Sequence, residues 1–277
     1  MDLPTTRADA VARVRASRVA DHADAIIDAL EPSAVLARRR AAEGEELPLG
    51  ASRLGGLPDL PRSIQWPTQR FTERVGLFKK RDVVREGPLD FLAQIRCEDV
   101  PKGSVPGAFP DHGVLYAFYD AVHVPWDVPA CDGREALLLH CVDVDDLVRR
   151  EPPDPGRPTF PACVVEVTPG WTLPDEDLPL PAADEDACEA YFEELLPRVQ
   201  GREEEPSHRL FGEAQWIQSN ALESHPGERL LLQIDSDSGK DGPGWMWGDA
   251  GTLYFLIHDA DLGAGRFSLA RLVLQCY

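Results

Sequence analysis

The densest run of chemistry-bearing side chains is Asp235-Ser-Asp-Ser-Gly-Lys-Asp241, followed by Trp245-Met-Trp247 and Asp249. Carboxylates spaced i, i+2 can project to one side of a loop and hold a hard cation through oxygen. The calcium-loop pattern is not completed here. Its twelfth position is Met246 counted from Asp235 and Gly248 counted from Asp237, so the closing bidentate Glu is missing. The simpler use of these residues is a hairpin loop whose Asp and Ser side chains cap backbone amides. No metal and no cofactor is assigned on this pattern. Trp247 beside the carboxylates has two uses: stacking on a cationic or planar ligand, or plugging the end of a sheet.

Other polar residues carry less. Gln94 and Gln233 are the polar residues of two otherwise apolar runs, Phe91-Leu-Ala-Gln-Ile95 and Leu230-Leu-Leu-Gln-Ile234. A buried Gln must be hydrogen-bonded, either within the fold or to a ligand. Gly55-Gly56 has neither the Gly-Lys-Ser/Thr of a phosphate-binding loop nor the spacing of a dinucleotide fingerprint, and is expected to be a turn. The seven histidines show no zinc-protease spacing, and no nucleophile elbow frames a Ser or Cys. The six cysteines contain no C-x-x-C pair, which predicts free thiols in a reducing compartment.

The elements that must position these residues are short strands with a few helices. Val11, Val14, Ile26, Ile27 and Leu30 form an apolar stripe that predicts helix, and a second short helix is expected from Ser33 to Ala42. Cys188, Tyr191, Phe192 and Leu195 fall at i, i+3, i+4 and i+7, predicting a helix over 185–199 that Pro197 ends. Four segments recur in order at nearly constant spacing. Arg53-Leu-Gly-Gly56 matches Arg209-Leu-Phe-Gly212, and Leu89-Asp-Phe-Leu-Ala-Gln-Ile95 matches Arg229-Leu-Leu-Leu-Gln-Ile234. Gly113-Val-Leu-Tyr-Ala-Phe118 matches Gly251-Thr-Leu-Tyr-Phe-Leu256, and Leu137-Leu-Leu-His-Cys141 matches Leu272-Val-Leu-Gln-Cys276. Ordered repeats of this kind predict an internally duplicated α+β fold. Its two β-rich halves, each with a preceding helix, are expected to be related by a pseudo-twofold and to share a core. The expected division is 1–45, N-terminal helices packing on the first half; 46–150, the first repeat; and 158–277, the second helix and repeat. The Pro-rich stretch Glu151–Pro161 joins the halves.

Net charge bounds the partners. The chain has 277 residues and a formal charge of −20. Nucleic acid and anionic membrane are disfavoured, because both are bound mainly through Lys and Arg. No apolar stretch is long enough to span a bilayer, and residues 1–20 lack the apolar core of a signal peptide, so a cytoplasmic location is expected.

Five groups of residues carry a family resemblance: Leu54-Gly-Gly-Leu-Pro-Asp-Leu-Pro61 with Trp66-Pro67, Phe91–Ile95, Gly113-Val-Leu-Tyr116, Leu231–Asp237, and Trp247-Gly-Asp-Ala-Gly-Thr-Leu-Tyr-Phe255. Together they resemble the YwqG-like family of bacterial proteins, a domain of unknown function. The resemblance implies an internally duplicated α+β fold and brings no catalytic residues. One departure is that Gly212 is followed by Glu213-Ala-Gln-Trp216, where the family has a Gly-x-Pro turn.

The expectation for function is a non-catalytic binding module whose acidic surface recognises a basic protein, such as a toxin. Asp235, Asp237, Trp247 and Asp249 are expected to line that surface, with Gln94 and Gln233 as further candidates. The alternative is a metal-assisted hydrolase using Asp235, Asp237 and Asp249 in a cleft between the halves.

Overall fold

The structure, a computed structural model, describes residues 3–75, 81–129, 135–201 and 205–277. Cys131, Glu203 and Glu204 lie outside them. Helices α1 (Arg7–Arg15) and α2 (Ala23–Asp28) come first, then strands β1 (Glu31–Arg40), β2 (Arg53–Leu54), β3 (Asp59–Pro61), β4 (Thr68–Val75), β5 (Arg81–Pro88), β6 (Asp90–Arg96), β7 (Val114–Tyr119), β8 (Asp127–Val128), β9 (Ala136–Cys141), β10 (Leu147–Arg149) and β11 (Cys163–Thr172). After α3 (Glu185–Ala190) and α4 (Leu196–Gln200) come β12 (Arg209–Leu210), β13 (Glu228–Asp235), β14 (Thr252–His258), α5 (Asp259–Gly263) and β15 (Arg271–Gln275). The fold is α+β and dominated by one 11-stranded sheet in the order β8-β15-β14-β13-β12-β1-β11-β2-β6-β7-β9.

The centre of that sheet is the long antiparallel pair β1 and β11, in register from Glu31 opposite Thr172 to Arg40 opposite Cys163. On one side of the pair run β2, β6, β7 and β9; on the other run β12, β13, β14 and β15. The two flanks match in detail. Arg53 faces Gln94 across β2 and β6, and Arg209 faces Gln233 across β12 and β13. Each flank has a register shift at the same place, between Phe91 and Ala93 in β6 and between Leu230 and Leu232 in β13.

Both faces of the sheet are covered, which explains strands such as Val114–Tyr119 that are buried at every position. Side chains alternate between the faces with the strand period of two. Leu115, Ala117 and Tyr119 of β7 and Leu253, Phe255 and Ile257 of β14 enter one large core made by both flanks. Val114, Tyr116 and Phe118 enter a smaller cluster on the other face, and Tyr254 and Leu256 enter another. Leu272 and Leu274 of β15 belong to the large core.

Three details depart from the sequence expectations. The helix expected over 33–42 is most of β1. Local propensity is overruled because β1 is hydrogen-bonded on both sides, by β11 and β12, and buries Ala34 and Leu36. The helix expected to stop at Pro197 continues to Gln200. A π-helical turn at Tyr191–Leu195 precedes the proline, and widening of this kind accommodates a ring that carries no N–H. Finally, α1 and α2 pack on the helical segment of the second half: Ala10, Val14, Ile26 and Leu30 share one cluster with Leu173, Tyr191, Leu195 and Val199.

Candidate functional site

The loop after β13 begins with two carboxylates in different surroundings. Asp235, partly exposed, accepts from the Ser207 N–H at 2.6 Å and from the Thr252 hydroxyl at 2.5 Å. Asp237 is 1% exposed. Its Oδ2 accepts from Arg38 Nε at 2.6 Å and lies 3.3 Å from His208 Nε2. Because His208 Nδ1 accepts the Asp235 N–H at 3.2 Å, the ring proton sits on Nε2 and points at Asp237. Burial alone would raise the Asp237 carboxyl; the hydrogen bonds from His208 and Arg38 and the Arg38 charge outweigh it and hold the group well below the usual carboxylate range. Cys163 lies nearby, its sulfur 3.6 Å from the Asp241 carbonyl, and burial pushes its thiol up to about 11. A thiol held protonated in this way is a packing group rather than a nucleophile.

Asp237 is buried and Asp249 exposed, and Asp235, Asp237 and Asp249 form no joint cluster. Among the described residues no group of three or more His, Cys, Asp or Glu side chains could hold a metal ion. Trp247 is 1% exposed, in the large core, with its ring edge-on to Tyr119 (5.7 Å) and Phe160 (6.2 Å). Trp245 is also buried, and its indole N–H donates to the Asp235 carbonyl at 2.8 Å.

Gln94 and Gln233 are wholly buried, one in each of two matching polar cages. In the first, Gln94 Oε1 accepts the Asp59 N–H and its Nε2 donates to the Ala51 carbonyl, both at 2.8 Å. Arg53 and Arg149 bind the Asp59 carboxylate, and the Tyr116 hydroxyl donates to the Asp59 carbonyl. In the second, Gln233 Oε1 accepts the Gln215 N–H at 3.1 Å and its Nε2 donates to the Ser207 carbonyl at 3.0 Å. Arg209 donates to the Gln215 side-chain oxygen at 2.6 Å, and the Tyr254 hydroxyl donates to the Gln215 carbonyl. Burial drops both Arg53 and Arg209 to about 10, with nearby Asp59 and Asp235 opposing that fall.

The exposed surface beside the loop is aromatic and acidic. Met246 points outward between the two buried tryptophans and is 49% exposed. Trp126, 54% exposed, lies against the same loop: a Cβ placed on Gly248 would be 4.0 Å from its ring. The Trp126 carbonyl accepts from Leu274 N–H at 2.7 Å, and the Asp249 carbonyl accepts from Tyr277 N–H at 3.1 Å. Asp127 and Asp249 are exposed at this edge. Two non-glycine residues with left-handed backbone flank the patch, Val124 at φ 50° and Ala250 at φ 51°. That region is unfavourable for a β-branched residue, and strain of this kind persists only where surrounding contacts impose it.

A family model described as a domain of unknown function, DUF1963, matches residues 52–276. The chain belongs to this family. No curated protein matches it.

The DUF1963 region contains the second cage, the first cage apart from Ala51, the Asp235–Asp249 loop and Trp126, whereas α1, α2 and β1 precede it. The partner that Asp237 takes from β1, Arg38, therefore comes from outside the matched span. Of the six residues singled out in the sequence, Asp235 and Asp237 meet at His208, Trp247 lies beneath the patch, Asp249 is on its rim, and the two glutamines sit in separate cages. Arg53 and Arg209 lie in segments that match in sequence; the missed signal was that each arginine is buried and donates into a cage, Arg53 to the Asp59 carboxylate and Arg209 to the neutral Gln215 side chain. Trp126 carried no sequence signal beyond its place beside Pro125.

Proposed function

We propose that the protein is a non-catalytic binding module that recognises a basic protein segment through Trp126, Met246 and Asp249. The observation that carries this is an exposed tryptophan whose ring lies against Gly248, two residues from an exposed methionine and next to the exposed Asp249, on strained loops, in a chain of charge −20. An exposed indole attracts a guanidinium over its face. A negative field draws in a cationic partner before contact. In this reading Asp235, Asp237 and Trp247 hold the loop from inside, Asp249 touches the partner, and Gln94 and Gln233 maintain the scaffold.

The scaffold itself we infer to be internally duplicated about a pseudo-twofold between β1 and β11. The matching registers, register shifts and cages support this. Its motifs suit a YwqG-like member of the DUF1963 family. Cys97, Cys141, Cys163, Cys188 and Cys276 are unpaired, which suits a reducing compartment such as the cytoplasm.

Calorimetric titration with an oligo-arginine peptide tests the binding reading. Trp126→Ala is expected to weaken binding about tenfold, and Asp249→Asn to weaken it less while flattening its salt dependence. Phe192→Ala, an exposed aromatic on the π-helical turn, should bind like the native protein. Equal affinity of the Trp126→Ala and native proteins would overturn the assignment.

A further inference from the structure

We propose that residues Arg157 to Phe160, in the segment joining the halves, organise the recognition patch from beneath: Arg157 fixes the loop carrying Trp126, and Phe160 supports the loop carrying Met246 and Asp249. The inference rests on the patch being the recognition surface, and it makes Arg157 a positioning residue.

Arg157 is inserted between two buried carboxylates. Its Nε and Nη2 form a fork on Asp90 at 2.9 and 2.6 Å, and Nη2 also reaches Asp120 at 2.9 Å. Those carboxylates hold the backbone of the turn that leads to Trp126. Asp90 accepts the Ala121 N–H at 2.9 Å, and Asp120 Oδ1 accepts the Val122 and His123 N–H groups, each at 3.2 Å. The Asp120 carbonyl accepts the N–H of Val124, the residue with left-handed φ. Asp120 Oδ2 lies 2.6 Å from His123 Nδ1. Two neighbouring buried carboxylates remain ionised together only when a cation neutralises them. Withdrawal of the guanidinium therefore acts on three consecutive amides of this turn.

Phe160 reaches the second loop. Its ring is edge-on to Trp245 at 5.4 Å and to Trp247 at 6.2 Å. Trp247 in turn contacts Tyr119, whose hydroxyl donates to the Pro125 carbonyl at 2.8 Å, one residue before Trp126. The segment thus touches both loops of the patch. Pro155, Pro158 and Pro161 limit its alternative conformations. At its other end the segment is fastened separately, by Arg150 donating to the Arg62 carbonyl at 3.0 Å.

The test is fluorine NMR of 5-fluorotryptophan protein, with the Trp126 signal assigned by Trp126→Phe. Arg157→Gln is expected to shift or broaden the Trp126 signal, leave Trp171 unchanged, and weaken oligo-arginine binding about fivefold. Arg150→Gln should change neither. A folded Arg157→Gln protein with a native Trp126 signal would overturn the proposal. Should Arg157→Gln not fold, Arg157→Lys, which keeps the charge and loses the fork, and Phe160→Leu are judged by the same signal. If the signal moves but the native protein does not bind the peptide, the recognition reading fails while the positioning role stands.

Discussion

The two polar cages answer one structural demand with different chemistry. In each, a glutamine from a flanking strand satisfies a loop N–H and a loop carbonyl, a tyrosine hydroxyl satisfies a second carbonyl, and a buried arginine crosses beneath. The first half completes its cage with an ion triad, Arg53–Asp59–Arg149; the second uses the neutral oxygen of Gln215 on Arg209. Polar satisfaction is common to both cages, whereas the charge on the acceptor is not. The cost of burying a carboxylate is offset in the first cage by two guanidinium groups, and the second avoids that cost.

The largest effect expected from this difference is at Asp59. Asp59→Ala leaves Arg53 and Arg149 facing a buried void and should cost about 3–5 kcal/mol in urea unfolding. Gln215→Ala removes a neutral acceptor and should cost about 1.5–3 kcal/mol. Equal losses would show that charge is not what distinguishes the cages. Gln94→Leu and Gln233→Leu should each cost about 2–3 kcal/mol, since each leaves a loop N–H and carbonyl unpaired; if one proved neutral, the cages would not be equivalent.

A second matched pair sharpens the comparison. In the first half Ser52 donates to Asp99 at 2.7 Å and accepts the Arg96 N–H; in the second His208 occupies the same place between Asp237 and the Asp235 N–H. Asp99 is exposed and Asp237 buried. Asp237→Asn should therefore cost about 2 kcal/mol, and Asp99→Asn less than about 0.5 kcal/mol. A further effect is pH-dependent. Asp175, near Arg209, is raised to about 6 by burial, although its Oδ2 accepts the Trp216 N–H at 2.9 Å. A carboxyl raised in the folded state adds stability below its unfolded value, near 4, and loses that contribution as pH rises through about 6. Asp175→Asn should be more stable than the native protein at about pH 8, by about 1 kcal/mol, with the gain disappearing by about pH 4. An unchanged difference between those pH values would show that Asp175 is not the titrating group.

Much of this was legible in the residues. The ordered matches from Arg53 to Cys141 and from Arg209 to Cys276 located both sets of flanking strands, and the alternation in them located the core. Gln94 and Gln233 stood out because a polar residue in an apolar strand must find partners. The Asp235–Asp249 loop was visible as a polar interruption between two such strands.

Strand order and contacts remote in sequence were not legible. The residues of β1 favour a helix locally; only its hydrogen bonds to β11 and β12 make it the centre of the sheet. Asp237 and Asp249 belong to one loop, yet one is buried by Arg38 and His208 and the other faces water. Trp247 looked available for stacking until the core closed around it, and Trp126 became its exposed counterpart through a loop from the other half. Local sequence determined which segments form strands, because backbone periodicity and side-chain polarity are properties of neighbours. Tertiary structure decided which carboxylate and which tryptophan reach solvent, because burial depends on groups brought together from far along the chain.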